Sequence, residues 1–326
     1  MNIFITSVSS NKGMGHLSRT ISIASHLKKK DNILYIDDKT NLKNISSEFE
    51  TIIVKKKNDE IIKSIKFYIG KNSKKKNIIF IDDYELPISF IRKLNLLNSI
   101  VVEHIPLKRE NKLVSDISIC LSNTKIKRND KILLSGEKYF VLNKNLKKKT
   151  KITHPNKEEL FIFLGGGTDK YIIQNIIQNI YDLNIDIGVY STFMNPLNKL
   201  NIKVIRNFNK LKKSKIKYFI DSKDFMKKLL SSKLAILAPG LTFFEASYFK
   251  ISSLLISLNN KQHNHLKSFD YYKDIDLGNF RKIHFEKLRK KILEVFRGKK
   301  QPAFNQNAFD ENGFKRINYH INKFYE

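Results

Sequence analysis

The order of elements constrains this chain most. Short runs of Ile, Val, Leu and Phe alternate with stretches long enough to form helices. Ile3 to Ile5, Ile33 to Ile36, Thr51 to Val54, Ile78 to Ile81, Ile100 to Val102 and Ile117 to Leu121 read as strands. Strands that are apolar throughout, rather than alternating, belong to a parallel sheet covered on both faces by crossover helices. Between the first two runs, Leu17, Ile21, Ala24 and Leu27 fall at helical spacing. Lys28 to Lys30 follow at the C-terminal end, where positive charge suits the helix dipole. The charged, proline-punctuated stretch Leu146 to Asn156 then interrupts the pattern as a linker would. Strands resume at Leu160 to Leu164, Ile185 to Tyr190, Ile202 to Ile205, Leu234 to Leu237 and Ser253 to Ile256. Helices are expected near Lys170 to Tyr181, Asp224 to Ser231 and Leu241 to Lys250. Phe285 to Phe296 and Asp310 to Tyr325 read as amphipathic helices, the last able to cross back onto the first domain. A chain of 326 residues holds two such domains. The expected fold is therefore α/β, with two Rossmann-type domains at 1–148 and 159–326, a linker at 149–158, and a ligand cleft between them.

The formal charge of +30 raises the question of an anionic partner, because Lys and Arg supply the sequence-independent part of phosphate binding. The basic residues are spread along the sequence in Lys runs at 28–30, 55–57, 74–76 and 147–149. The excess is Lys, whereas bidentate phosphate sites favour Arg. A solvated surface accounts for this pattern and no specific nucleic-acid partner is expected, while an acidic glycan or peripheral membrane contact stays open. No run approaches the roughly 18 apolar residues of a membrane span. Met1 to Thr6 opens like a strand rather than a signal peptide, so the cytoplasm is the expected compartment. The single cysteine, Cys120, excludes an internal disulfide and reads as a buried strand residue.

Three loops carry the chemistry. In an open parallel sheet, ligands bind where loops leave the carboxyl ends of strands, and a helix N-terminus presents free N–H groups to anionic oxygens. The first loop runs from Ser9 to Arg19 and contains Gly13, Gly15, His16 and Arg19. It is neither a complete dinucleotide fingerprint, since residue 18 is Ser, nor a P-loop. It offers an imidazole, a group whose unperturbed pKa of about 6.5 suits a general base. A helix-start histidine with a local hydrogen bond is the plainer account of His16; Arg19, one turn further on the same face, reads equally as a group that holds a phosphate or orients His16 and as a surface ion pair. The second loop, Gly165-Gly166-Gly167-Thr168-Asp169, follows a strand and reads either as a glycine turn with a capping residue or as a loop that meets a diphosphate. The third joins the strand Leu234 to Leu237 through Gly240 to a helix in which Thr242 and Glu245 have the spacing of a capping box. A carboxylate there can equally accept the hydroxyls of a ribose. The polar stretch Asn259 to His265, which includes Gln262, follows the next strand and can meet a sugar. Its histidines at 263 and 265 do not face each other on a helix, which argues against a zinc pair. Asp37-Asp38 and Asp82-Asp83 each follow an apolar strand and so should line the cleft edge, where such pairs can suggest a divalent metal but more often read as solvated caps, and Asp274-Ile275-Asp276 lies away from any strand end. No metal is expected.

Together, Gly-Met-Gly-His-Leu-Ser-Arg at 13–19, Gly-Gly-Thr-Asp at 166–169 and the segment Gly240 to Gln262 resemble a known family. It is the UDP-2,4-diacetamido-2,4,6-trideoxy-β-L-altropyranose hydrolases of pseudaminic acid biosynthesis, relatives of the UDP-GlcNAc glycosyltransferase of peptidoglycan lipid II synthesis. Ile81-Asp82-Asp83-Tyr84 and Ser135 to Leu142 match as well, and the resemblance runs in order over residues 3 to 265. It implies a GT-B fold with UDP held mainly by the second domain and the sugar facing the loop of the first. By the same resemblance His16 activates water for inverting, metal-independent attack at the anomeric carbon. Glu245 binds the ribose, and Gly166, Gly167 and Gly240 cradle the diphosphate. Gly13, Gly15, Arg19, Asp82, Tyr84, Thr168, Thr242 and Gln262 complete the implied substrate contacts, and no cofactor is implied. The chain departs from the family at Ser7, at Glu103-His104 and at Asn143, positions that would shape the sugar end of the site. The alternatives are a GT-B glycosyltransferase using the same His16 on an acceptor hydroxyl, a non-catalytic nucleotide-sugar or glycan binder, and a nucleic-acid binder.

Overall fold

A computed structural model describes residues 1–8, 14–37, 47–54, 57–71, 76–106, 113–123, 131–149, 159–165, 170–192, 195, 197–211, 214–220, 224–269, 274–298 and 310–326. The chain divides into two compact units, 1–148 with 310–326 and 149–309.

The first unit is built on seven strands: β1 (Asn2–Thr6), β2 (Asn32–Ile36), β3 (Thr51–Val54), β4 (Ile78–Asp82), β5 (Ile100–His104), β6 (Ile117–Cys120) and β7 (Ile132–Ser135). Their order is β3-β2-β1-β4-β5-β6-β7, and every pairing is parallel. The crossover helices are α1 (Gly15–Ala24), α2 (Asn58–Lys71) and α3 (Ile88–Asn95), and α4 (Lys144–Lys149) follows the last strand. β1, β2, β5 and β6 are buried along their whole length, as a sheet covered on both faces requires. Ile61, Ile65 and Ile69 of α2 lie one turn apart and pack with Phe90 and Leu94 of α3 on Ile3, Ile5 and Ile79. Each such side chain contributes about 1.5–3 kcal/mol by leaving water. Cys120 is buried, as expected of a strand residue.

The second unit repeats the plan with β8 (Glu159–Phe163), β9 (Asp186–Ser191), β10 (Ile216–Ile220), β11 (Leu234–Leu237), β12 (Ser253–Ser257) and β13 (Asp276–Asn279). They form a parallel sheet in the order β10-β9-β8-β11-β12-β13. Its helices are α5 (Lys170–Ile180), α6 (Asn198–Asn209), α7 (Phe225–Ser231), α8 (Leu241–Tyr248), α9 (Asn260–Lys267) and α10 (Phe285–Phe296). In each sheet the strand order reverses at the first strand, between β1 and β4 and between β8 and β11. A ligand crevice belongs at that point.

Several expectations need correction. Ile202 to Ile205 lies inside α6, where Asn201 and Ile205 are buried one turn apart; a four-residue apolar run cannot by itself tell strand from buried helix. β7, β10 and β13 escaped notice because they are edge strands that carry polar or half-buried residues. Helix α1 ends at Ala24, so Lys28 to Lys30 lie beyond the reach of its dipole. Asp276 opens β13 rather than lying away from a strand.

The last helix, α11 (Gly313–Lys323), is counted with the first unit, whereas the sequence boundaries give 159–326 to the second. The contacts explain this. Arg316 is paired with Asp310 and donates to the Lys138 carbonyl at 2.9 Å, and the Tyr325 hydroxyl donates to the Asn77 carbonyl at 2.9 Å. Gly313 packs so closely on the Phe140 carbonyl that a Cβ would collide with it, and Phe314 stacks on His26. No helix among the described residues is long and apolar enough to cross a membrane.

Candidate functional site

Parallel pairing aligns Thr6 with Asp82, and Ile81 with Glu103, at the carboxyl edge of the first sheet. The Thr6 hydroxyl donates to the Asp82 carbonyl at 3.2 Å. Helix α1 starts just past this edge with Met14 as N-cap and no side-chain cap. That puts His16 in its first turn and Arg19 three residues on, on the same face.

His16 Nδ1 lies 2.6 Å from Asp82 Oδ1. Arg19 donates through Nε to Asp82 Oδ2 at 2.6 Å and through Nη2 to Oδ1 at 2.7 Å. Burial pushes the Asp82 carboxyl upward, but the Arg19 charge and the hydrogen bonds from Arg19 and His16 outweigh it and hold the group well below the usual carboxylate range. Asp82 is therefore an ionised acceptor, and Nδ1 must be the donor. The neutral imidazole then keeps its lone pair on Nε2, the tautomer a general base needs. Arg19 Nη2 also comes within 3.0 Å of Nδ1; with the proton on Nδ1, this is a meeting of two donors on one carboxylate oxygen rather than a bond between them. The Tyr84 ring packs edge-on against His16, centroids 4.5 Å apart, and its hydroxyl accepts from Arg19 at 3.3 Å. Burial, opposed by Arg19, raises that phenol to about 12.

Asp82 and Asp83 are both buried, which corrects the reading of this pair as solvated caps. His104, one of the departures from the family pattern, joins the cluster. It ends β5, beside the strand that carries Asp82. Burial, Arg19 and His16 lower its pKa to about 4 against the pull of Asp82, so its imidazole is neutral near pH 7. Its place just past the apolar run Ile100 to Val102, where a strand's carboxyl end is expected, was the available signal. Ser7 is buried after β1, and its hydroxyl has no partner among the described residues.

In the second unit, Gly165 leaves β8 with φ of +91°, a conformation that favours glycine. Gly13, Gly166, Gly167 and Thr168 lie outside the described residues. Gly240, after β11, is the N-cap of α8 in an extended conformation that any residue adopts, and no side chain caps the helix. The capping box anticipated for Thr242 and Glu245 is absent, because both lie inside the helix. A Cβ at Gly15 or Gly240 would meet no atom within 4 Å, so these glycines leave space open beside two uncapped helix starts. Glu245 has no hydrogen-bond or ion-pair partner among the described residues, and burial alone raises its pKa to about 7.

The stretch 259–265 is largely helix α9. Asn259 caps it by accepting from the Gln262 amide at 2.9 Å, and Gln262 Oε1 returns to accept from the Leu258 N–H at 2.8 Å. Gln262 thus spends its carbonyl on the cap and keeps its side-chain NH₂ available. His263 Nδ1 approaches Asp276 at 3.8 Å without hydrogen-bonding. No cluster of three or more metal-ligating side chains occurs among the described residues.

No family model matches the chain. It is 25% identical over 281 residues to the uncharacterized protein MJ1062 of Methanocaldococcus jannaschii, over 79% of this chain and 56% of that one. The chain spans about half the length of that curated relative. Among solved structures, a glycosyltransferase from Rickettsia africae is similar with a TM-score of 0.64 at 15% identity, covering 99% of this chain and 97% of that one. MurG from Acinetobacter baumannii gives 0.61 at 10% identity, covering 99% of each. The UDP-GlcNAc 2-epimerase of Methanocaldococcus jannaschii, solved with UDP-GlcNAc and UDP, gives 0.60 at 14% identity, covering 99% and 100%. Together with the two parallel sheets, these likenesses give the chain a GT-B-like fold of two Rossmann-type domains.

Proposed function

We propose that this chain hydrolyses a UDP-linked deoxy amino sugar of the pseudaminic type, with water as nucleophile and His16 as general base. The observation that carries this reading is the His16–Asp82 hydrogen bond at 2.6 Å, which leaves Nε2 as the basic atom. Water loses its proton to Nε2 as its oxygen attacks the anomeric carbon from the face opposite the nucleotide. The carbon–oxygen bond to the diphosphate breaks, UDP leaves with the electron pair, and the sugar is released with inverted configuration. Asp82, fixed by two bonds from Arg19, stabilises the imidazolium that forms. A diphosphate leaves without needing a strong acid, so one base suffices and no metal is required by this scheme.

On the nucleotide side, the proposal assigns the ribose hydroxyls to Glu245, and the diphosphate to the uncapped start of α8 at Gly240 with the 165–168 loop. Thr242 and the free NH₂ of Gln262 are further polar contacts offered to the substrate. The Glu245 carboxyl, which has no partner among the described residues, supports this, since two hydroxyl donors would stabilise its charge. Cytoplasmic action is part of the same proposal.

The test is incubation with UDP-2,4-diacetamido-2,4,6-trideoxy-β-L-altropyranose without metal or acceptor, reading UDP release and the anomer formed by NMR. Release of free sugar with inversion is expected. Bound substrate that turns over only when a hydroxyl acceptor is added would overturn hydrolysis. It would favour a glycosyltransferase, a reading supported by the likeness to the Rickettsia africae enzyme.

A further inference from the structure

The basic surplus is spread along most of the chain, but one helix pair of the second unit concentrates it. Between Asp186 and Asp221 the sequence has no acidic residue. Lys199, Lys203 and Arg206 of α6, with Lys210 just past its end, recur at the spacing that lines one side of a helix. All four are exposed, and none of their side chains has a hydrogen-bond or ion-pair partner among the described residues. The inner side of the helix is held to the edge strand β10. The Tyr218 hydroxyl donates to Asn198 Oδ1 at 2.7 Å and accepts from Asn201 Nδ2 at 3.0 Å. Asn209 exchanges hydrogen bonds of 2.7 and 2.9 Å with the backbone of Ile216. These ties at both ends keep the basic stripe facing outward. Beside it, Leu200 and Leu211 are 42% and 52% exposed, and Tyr171 of α5 is 59% exposed. Helix α5 packs along α6 and contains no acidic residue either.

We propose that this outer face of α5 and α6 docks on a bilayer surface that carries anionic headgroups. The Lys and Arg side chains meet lipid phosphates, while Leu200, Leu211 and Tyr171 enter the headgroup layer. Charge alone would suit any polyanion. The two leucines decide for lipid, because an exposed leucine beside a lysine gains only where an apolar layer lies under the charge. Nucleic acid is held by phosphate contacts and base stacking, and the basic stripe carries no aromatic ring. The matching helices of the first unit show that this is no property of the surface at large. They also expose large apolar side chains, Phe67 and Leu96. Yet α2 begins with Asp59 and Glu60, and Asp59 pairs with Lys93 of α3 at 3.0 Å. Mixed charge there cancels part of any attraction to an anionic surface. The inference stands on the second unit alone and does not depend on the proposed reaction.

The experiment is cosedimentation of the full chain with vesicles of phosphatidylcholine, alone or with an equal part of phosphatidylglycerol. Wild type should bind the anionic vesicles and leave the neutral ones. Each Lys or Arg near such a surface is worth about fivefold in affinity, so Lys203→Glu with Arg206→Glu should weaken binding at least about twenty-fivefold. Leu200→Ser with Leu211→Ser should weaken it about five- to tenfold. The same charge change placed on α2, Lys63→Glu with Lys66→Glu, should cost less than about threefold. All substituted residues are surface or partly exposed positions, and a melting curve shows that each variant is folded. Equal losses from the α2 and α6 charge changes would reduce the effect to net charge and overturn the assignment. Wild-type protein that ignores anionic vesicles, or binds neutral ones as well, would do the same. Tighter binding to duplex DNA, lost with the α6 charges and indifferent to the leucines, would replace lipid by nucleic acid as the partner.

Discussion

The two units share one topology but leave their switch points in opposite electrostatic states. At the first, the central carboxylate is answered by both neighbours: Asp82 takes hydrogen bonds from His16 and Arg19, and Arg19 reaches Tyr84. At the second, the partly buried carboxyl of Glu245 has no hydrogen-bond or ion-pair partner among the described residues, and its pKa rises to about 7. A satisfied cluster holds a catalytic group in one tautomer before substrate arrives, which is what a proton transfer requires. A lone carboxyl is destabilising until donors come to it, and that is a means of making ligand binding favourable. Under the proposed function, the first switch point does chemistry and the second does recognition, and substitutions should separate the two.

The largest effect is expected from Asp82→Asn. The amide cannot fix His16 in the required tautomer or stabilise its charged form, so turnover should fall roughly a hundred- to ten-thousand-fold while UDP affinity changes less than twofold. Arg19 also loses a buried partner, and denaturant melts should show a destabilisation of about 3–5 kcal/mol. Equal losses in turnover and UDP binding would mean that the two switch points are not functionally separate.

Glu245→Gln should do the reverse, weakening UDP about ten- to hundredfold while leaving turnover at saturating substrate within a few-fold. The pH dependence sharpens this. Donors to an ionised Glu245 lower its pKa in the complex, so uridine, which has no phosphate to titrate, should bind more tightly as pH rises from 5.5 to 8. The change should approach tenfold per unit below about 7, and titration calorimetry of the Gln variant should find it absent. A flat wild-type profile would deny Glu245 its role.

The same group has a smaller effect on stability. Its folded pKa lies above its unfolded value of 4.5, so the folded state binds a proton that the unfolded state releases between pH 4.5 and 7. Stability falls across that window, by up to about 3 kcal/mol, and is level above it. Glu245→Gln should remove this slope in urea titrations. The smallest difference concerns helix starts. Asn259→Ala should cost about 1 kcal/mol because it removes an observed cap, whereas Thr242→Ala should stay within about 0.5 kcal/mol because Thr242 caps nothing.

The central strands were legible in the sequence because a strand covered on both faces is apolar from end to end, as in Leu234 to Leu237. Edge strands such as β10, with exposed Lys217, lack that signature and were invisible. The α6 segment shows the opposite error, a short apolar run with a face supplied by its neighbours one turn away. His16, Arg19 and Asp82 could be picked out by position and family likeness, but their mutual bonding could not. It depends on the register that sets Thr6 beside Asp82 across 76 residues. His104 needed the same register, and the capping of α9 by Asn259 and Gln262 needed the helix boundary itself.

The most direct test of the division of labour is His16→Ala, assayed for UDP release from the diacetamido nucleotide sugar and, in the same preparation, for UDP binding by calorimetry. The account predicts turnover reduced at least about a hundredfold with UDP affinity within twofold of wild type. Turnover near the wild-type rate would contradict the assignment of His16 as the base and the mechanism built on it.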